Sequence, residues 1–124
     1  MARDAAPVFD EIIHSPNRLR ICVLLSTVET MEFAALRADL GVADSVLSKH
    51  LATLADAGYV TLTRPTGLGG RPRTWARLTT VGHHTLHGHL AALRQLTALA
   101  TQTPPPEWRE PAPNQTTSRP VPPR

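Results

Sequence analysis

The sequence predicts a mainly α-helical domain carrying one small β-hairpin, an α+β chain, and three observations carry that prediction. Apolar residues recur at three- and four-residue spacing through five segments, the signature of helices buried on one face. From Tyr59 the period changes to two, and the glycine-rich stretch Thr66-Gly67-Leu68-Gly69-Gly70-Arg71-Pro72-Arg73 separates that run from a second one over 74–78. Eight of the twelve prolines lie after Thr103, so residues 1–102 read as one domain and 103–124 as a proline-rich disordered tail. A folded unit of roughly 100 residues buries enough surface to stand without disulfides or metal.

Val8, Phe9, Ile12 and Ile13 stand in pairs four apart, which predicts a short helix over residues 7–14. Ser15 followed by Pro16 marks a new start, because serine caps one orphan amide and proline at the first helical position wastes none. That helix is expected to run to about residue 28, with Ile21, Leu24, Leu25 and Val28 inward. Cys22 beside that stripe reads as a small buried hydrophobe. Phe33, Leu36 and Leu40 predict a third helix over 33–40, ended by Gly41. Two residues further on, Asp44 opens a fourth helix, its carboxylate suited to the free amides and the positive dipole end. Leu47, Leu51 and Leu54 form its inner face, and Gly58 stops it. A strand from Tyr59 to Arg64-Pro65 and a returning strand over 74–78 make a hairpin with a long basic tip. Thr79 or Thr80 then caps a last helix running to about Gln102, with Leu86, Leu90 and Leu93 on one side.

The net charge of +3 conceals a gradient. Residues 1–44 carry four arginines against seven acids, whereas 45–102 carry Lys49, Arg64, Arg71, Arg73, Arg77 and Arg94 against Asp56 alone. So basic a middle segment suits a polyanion. The single cysteine excludes an internal disulfide, no stretch reads as a signal peptide, and no apolar run approaches the roughly 18 residues that span a bilayer. A cytoplasmic protein without a membrane partner is expected.

Two helices joined by a tight glycine turn, the second followed at once by a basic hairpin, have a specific use. The second helix fits the DNA major groove, with its N-terminal residues facing base edges and phosphates. Over 44–57 the candidate contacts are Asp44, Ser45, Val46, Ser48, Lys49, His50 and Thr53. The small outward side chains, Ala52 among them, let the backbone approach the groove. The hairpin over 64–74 adds Arg64, Arg71, Arg73 and Thr74, with Pro72 stiffening the tip so that its guanidiniums lose less freedom on meeting phosphate or a narrow minor groove. A helix in one groove with an arginine tip beside it describes a winged helix-turn-helix.

The order of these segments also resembles the small winged-helix regulators of the MarR/ArsR superfamily. The resemblance rests on Ser48-Lys49-His50-Leu51 leading through Leu54 to Ala57-Gly58-Tyr59-Val60, on Gly70-Arg71-Pro72-Arg73-Thr74 followed by Leu78-Thr79 and Gly82, and on His14-Ser15-Pro16-Asn17-Arg18-Leu19-Arg20-Ile21. It covers about residues 8–100. It implies a transcriptional regulator built as a homodimer through its first and last helices, with a recognition helix on 44–57, a wing on 64–74, and an inverted repeat in duplex DNA as the target. The apolar residues Phe9, Ile12, Ile13, Leu86, Leu90 and Leu93 suit such a dimer interface, since a lone domain would leave them partly bare. Ala43 and Val46 depart from the pattern, which has threonine and a polar residue at those places.

Two other readings stay open. A winged domain can serve as a protein-interaction module, with the proline-rich tail as ligand for another domain, although such a module has little need of Arg71 and Arg73. A metal- or ligand-responsive sensor could use His83, His84 and His87 at the start of the last helix; His89 projects from nearly the opposite side, and no metal or other cofactor is expected. The clustered histidines read first as surface or interface residues, His50 as a phosphate contact or a packing residue, and Trp75 as a core or wing-root residue. Arg18 and Arg20 read equally as a solvated face. No enzyme is expected: the chain has no phosphate-binding glycine loop with its lysine, no paired carboxylates near the histidines, and no nucleophile with a partner.

Overall fold

The computed structural model describes residues 6–65 and 73–102. Its elements are helix α1 (Pro16–Ser26), strand β1 (Met31–Glu32), helices α2 (Phe33–Leu40) and α3 (Asp44–Asp56), strands β2 (Val60–Thr63) and β3 (Trp75–Leu78), and helix α4 (Thr80–Gln102). Helices 16–26, 33–40, 44–56 and 80–102 and both hairpin strands are those expected, to within two residues at each end.

The inward residues of four helices and two strands meet in one core, Leu86 being the contribution of α4. Ile21 and Leu25 of α1, Leu36 of α2, and Leu47 and Leu54 of α3 are fully buried, and Val60, Ala76 and Leu78 close the core from the sheet. Gly41 at φ 69° and Gly58 at φ 85° end α2 and α3 in the left-handed region, where a side chain would be strained. The Gly41 amide donates to the Arg37 carbonyl, so α2 stops cleanly and the chain turns into α3 within three residues.

The sheet has three antiparallel strands in the order β1-β3-β2. β2 pairs along β3 from Val60 opposite Leu78 to Thr63 opposite Trp75. β1 was not expected; it is only Met31 and Glu32, paired with Ala76 and Trp75, too short to show a period. Its effect is to fix the start of α2 against the returning wing strand, where the Phe33 amide donates to the Thr74 carbonyl.

Two expectations are corrected. Residues 7–14 do not form a helix. The Val8 amide donates to the Gly88 carbonyl and the Asp10 amide to Nδ1 of His89, so residues 6–10 lie across α4. Only one turn follows, closed by Asp10, whose Oδ1 accepts the Ile13 amide and whose carbonyl accepts that of His14. The paired apolar spacing is met by this turn, which buries Ile13 and half-buries Ile12. Second, α1 starts at Pro16 as expected but the Ser15 side chain makes no cap hydrogen bond, and the helix ends at Ser26, leaving Val28 exposed. The hydroxyls of Ser26 and Thr27 take the carbonyls of Val23 and Leu24 and so finish the last turn.

Thr79 joins the wing to α4. Its Oγ1 accepts the Gly82 amide at 2.9 Å as a helix cap and donates to the Gly58 carbonyl at 2.7 Å. The end of α3, the hairpin and the last helix are thereby held as one unit.

Candidate nucleic-acid interface

Helix α3 sorts its residues into two faces. Leu47, Leu51 and Leu54 are buried, whereas Ser45, Val46, Ser48, Lys49, Ala52 and Thr53 are exposed. Thr53 returns its hydroxyl to the Lys49 carbonyl. The outer face therefore carries short side chains and one cation.

Asp44, the first residue of α3, behaves differently from expectation. Its carboxylate caps no amide and pairs instead with Nε of Arg37 at 3.0 Å. It still lies at the positive end of the helix dipole. The cap position is Ala43, which has no side-chain acceptor to offer.

Of the four wing residues, three are described. Arg64 donates from Nε to the Thr74 hydroxyl at 3.2 Å, across the two hairpin legs. Arg73 lies with its Nε 3.6 Å from Oε2 of Glu32 on β1. Arg71 and the tip, residues 66–72, fall outside the described residues. Between the start of α2, the first turns of α3 and the wing root is a cleft of about 580 Å³ that includes Glu32, Asp44, Ser48, Arg64 and Arg73. Its lining holds two carboxylates, Glu32 and Asp44, and two arginines, Arg64 and Arg73, so the cleft is charge-matched. Trp75 is half-buried at the wing root, opposite Thr63 and Glu32, and fills neither a core nor a fully open position.

His50 sits on the α1 side of α3, half-buried, with its Nδ1 3.1 Å from Nη1 of Arg18. Burial, Arg18 and then Lys49 hold its pKa below the ordinary histidine value. The sequence offered no sign that Arg18 would reach it; the two are 32 residues apart.

The expected dimer residues divide. Ile13 and Leu86 are already spent on the core of the single chain, and Ile12 and Leu90 are half-buried against it. Phe9 remains 44% exposed, Val8 60% and Leu96 56%. Phe9 also packs its ring against His14 and His89, at centroid distances of 4.6 and 4.8 Å.

The histidines are likewise not one group. His89 is corrected from a surface residue to a fully buried one, accepting the Asp10 amide at Nδ1 and meeting Nδ1 of His14 with its Nε2 at 3.2 Å. His84 is exposed and His83 and His87 are half-buried. Among the described residues no three histidine, cysteine, aspartate or glutamate side chains are arranged to hold a metal ion. Cys22 is buried, and that burial, with Asp10 nearby, pushes its thiol pKa up to about 12, which makes it an inert packing residue. Among the described residues no helix is long and apolar enough to cross a membrane.

A short helix, a glycine turn, a second helix bare on its outer face and an antiparallel hairpin together define a winged helix-turn-helix. The family model for the winged helix DNA-binding domain matches residues 17–97, and the chain belongs to that family. Among solved structures, the chain is similar to a transcriptional regulator homologue from Pyrococcus horikoshii OT3 (TM-score 0.68, 23% identity, covering 73% of this chain and 89% of that one). It is similar also to a MarR-family regulator from Enterococcus faecalis V583 (TM-score 0.60, 24% identity, 73% and 80%). A third likeness is to a possible transcriptional regulator for arsenical resistance (TM-score 0.57, 27% identity, 77% and 95%). No curated protein matches the chain. The resemblance drawn from the motifs thus holds at the level of winged-helix transcriptional regulators.

Proposed function

We propose that this chain is a sequence-specific regulator that binds duplex DNA as a homodimer, with α3 in the major groove and the wing on the adjacent backbone or minor groove. The observation that carries the reading is the outer face of α3, where Ser45, Ser48, Lys49, Ala52 and Thr53 are all exposed while the same helix is anchored by three buried leucines. Short side chains permit close approach to base edges, and Lys49 supplies a phosphate partner. Arg64, Arg71, Arg73 and Thr74 form the second contact.

The exposed Phe9, Val8 and Leu96, with half-buried Leu90 and Leu93, support pairing of two copies through the N-terminal segment and α4. Two recognition helices related by a twofold axis would read half-sites about 34 Å apart, so the target is an inverted repeat. Such a target locates the protein in the cytoplasm.

The test is retention of duplexes from a random-sequence pool across a salt series, followed by sequencing. Enrichment of an inverted repeat, with affinity falling steeply as salt rises, is the expected result. A chain that retains no duplex even at low salt would overturn the reading and favour a protein partner for the same face.

A further inference from the structure

Arg18 lies on α1, away from the exposed face of α3, yet it makes two directed contacts, one to the N-terminal turn and one to the recognition helix. Its Nε donates to the Ile12 carbonyl at 2.6 Å and its Nη1 lies 3.1 Å from Nδ1 of His50. A guanidinium has donors only. Nδ1 of His50 must therefore be the acceptor, which leaves the imidazole neutral with its proton on Nε2.

The Ile12 carbonyl that seats Arg18 is itself held. It belongs to the turn closed by Asp10, whose amide donates to His89 on α4 and whose second carboxylate oxygen accepts the Tyr59 hydroxyl. Arg18 is thus fixed at both ends, and its fork geometry loses little freedom in making the second bond. The charged groups facing the His50 ring are Arg18 from α1 and Lys49 from its own helix, and both oppose a proton on Nδ1.

Resting on the DNA-binding reading above, we propose that Arg18 is a positioning residue for the DNA contact: it fixes His50 as the neutral Nε2–H tautomer, so that the ring donates to a backbone phosphate oxygen. Phosphate contacts set the register of a recognition helix in the groove. A hydrogen bond from a neutral ring would contribute to affinity without adding to the counterion-release slope.

The test uses the full chain with ¹⁵N-labelled histidine, and assigns the His50 ring by comparison with His50→Gln. At neutral pH the wild type should show His50 protonated on Nε2 and bare at Nδ1. Arg18→Met should free the ring to exchange between its tautomers and its charged form, so that the signature weakens, and let it titrate closer to the ordinary histidine value. It should weaken duplex binding on the order of tenfold, the size of one lost hydrogen bond to a charged group. Arg20→Met removes an exposed arginine two residues away, which donates a long bond to the Asp39 carbonyl, and should weaken binding less than about threefold.

The decisive comparison is a double-mutant cycle. Glutamine at position 50 carries its own amide donor near the place of Nε2 and needs no tautomer to be set, so Arg18→Met should lose most of its effect on binding in the His50→Gln background. An equal loss in both backgrounds, or a wild-type His50 protonated on Nδ1, overturns the proposal. If Arg18→Met unfolds, Arg18→Lys replaces it in the same cycle, since an ammonium lacks the fork that spans Ile12 and His50. A fixed tautomer that depends on Arg18, in a chain that binds no duplex, would overturn the DNA-binding reading and the phosphate contact while upholding the ring assignment.

Discussion

The hydroxyl of Tyr59, at the root of the wing, donates a 2.6 Å hydrogen bond to Oδ2 of Asp10, 49 residues earlier in the N-terminal turn. The same aspartate accepts the Ile13 amide and donates its own amide to His89. One residue therefore ties the N-terminal turn to the wing root and to α4.

Tyr59→Phe should lower stability by about 1.5–3 kcal/mol, the usual range for a hydrogen bond to a charged acceptor. Asp10→Ala should lower it further, because the Ile13 amide is released as well. Urea unfolding measures both. A second readout is available because Tyr59 is the chain's single tyrosine. Its hydrogen bond to Asp10, burial and the adjacent carboxylate push its pKa up to about 12, and ultraviolet titration of Asp10→Ala should find the phenol back near its ordinary value. An unshifted phenol would show that the Asp10 contact is not formed in solution.

His89 makes the native state sensitive to acid. Its buried Nδ1 accepts an amide proton, so a charged ring would set one donor against another. Burial and then His14 hold its pKa below the ordinary 6.5, with Asp10 opposing. Below that value the unfolded chain binds more protons than the native one, so this stabilisation is fully present above about pH 6.5 and is lost as pH falls through the depressed native pKa. His50 acts in the same direction. His89→Asn keeps an acceptor in the place of Nδ1 and does not titrate, so its melting temperature should fall less than that of the wild type between about pH 7 and pH 5. Parallel falls would assign the acid sensitivity to other groups.

These contacts mark where sequence reading stops. Helix periods, the two glycine stops and the change of period at Tyr59 are local signals, and each is satisfied by residues within a few positions, so α1 to α4 and the hairpin were legible. The outer face of α3 was legible for the same reason, since Leu47, Leu51 and Leu54 fix which side is inward. The N-terminal segment was misread because its apolar spacing fits a helix, while the bonds that decide its path come from Gly88 and His89, far along the chain. Arg18, His50 and Asp10 were visible as polar residues; their joint role depends on packing that only the tertiary fold supplies. Asp44 shows the smaller error of assigning a carboxylate to a cap when an arginine from the preceding helix competes for it.

Gly82 should be the least replaceable glycine of α4. A methyl group there would run into the Tyr59 carbonyl and press on a Leu78 methyl. The carbonyl cannot yield easily, because it accepts the Thr79 amide at 3.0 Å where the wing joins the helix. Gly82→Ala should therefore destabilise by at least about 2 kcal/mol despite the better helix propensity of alanine. A neutral or stabilising result in thermal unfolding would show that α4 can shift on the hairpin.

Arg73 cannot meet a phosphate with the full use of its charge while Glu32 holds it, and the 3.6 Å separation with two-thirds of the arginine exposed describes a weak hold. Glu32 is thus a built-in competitor on the proposed DNA face, brought there by the two-residue strand β1. Glu32→Gln should tighten binding to all duplexes alike by about two- to fivefold at low salt, with the difference shrinking as salt rises. Arg73→Ala should weaken binding less in the wild type, where part of the arginine's charge is already engaged by Glu32, than in the Glu32→Gln background. Arg71→Ala should reduce the slope of log affinity against log salt by about 0.9, the value for one lost phosphate contact, whatever stands at position 32. Equal losses for Arg73→Ala in both backgrounds would show that Glu32 does not bear on the bound duplex, and an unchanged slope for Arg71→Ala would remove the wing tip from the interface.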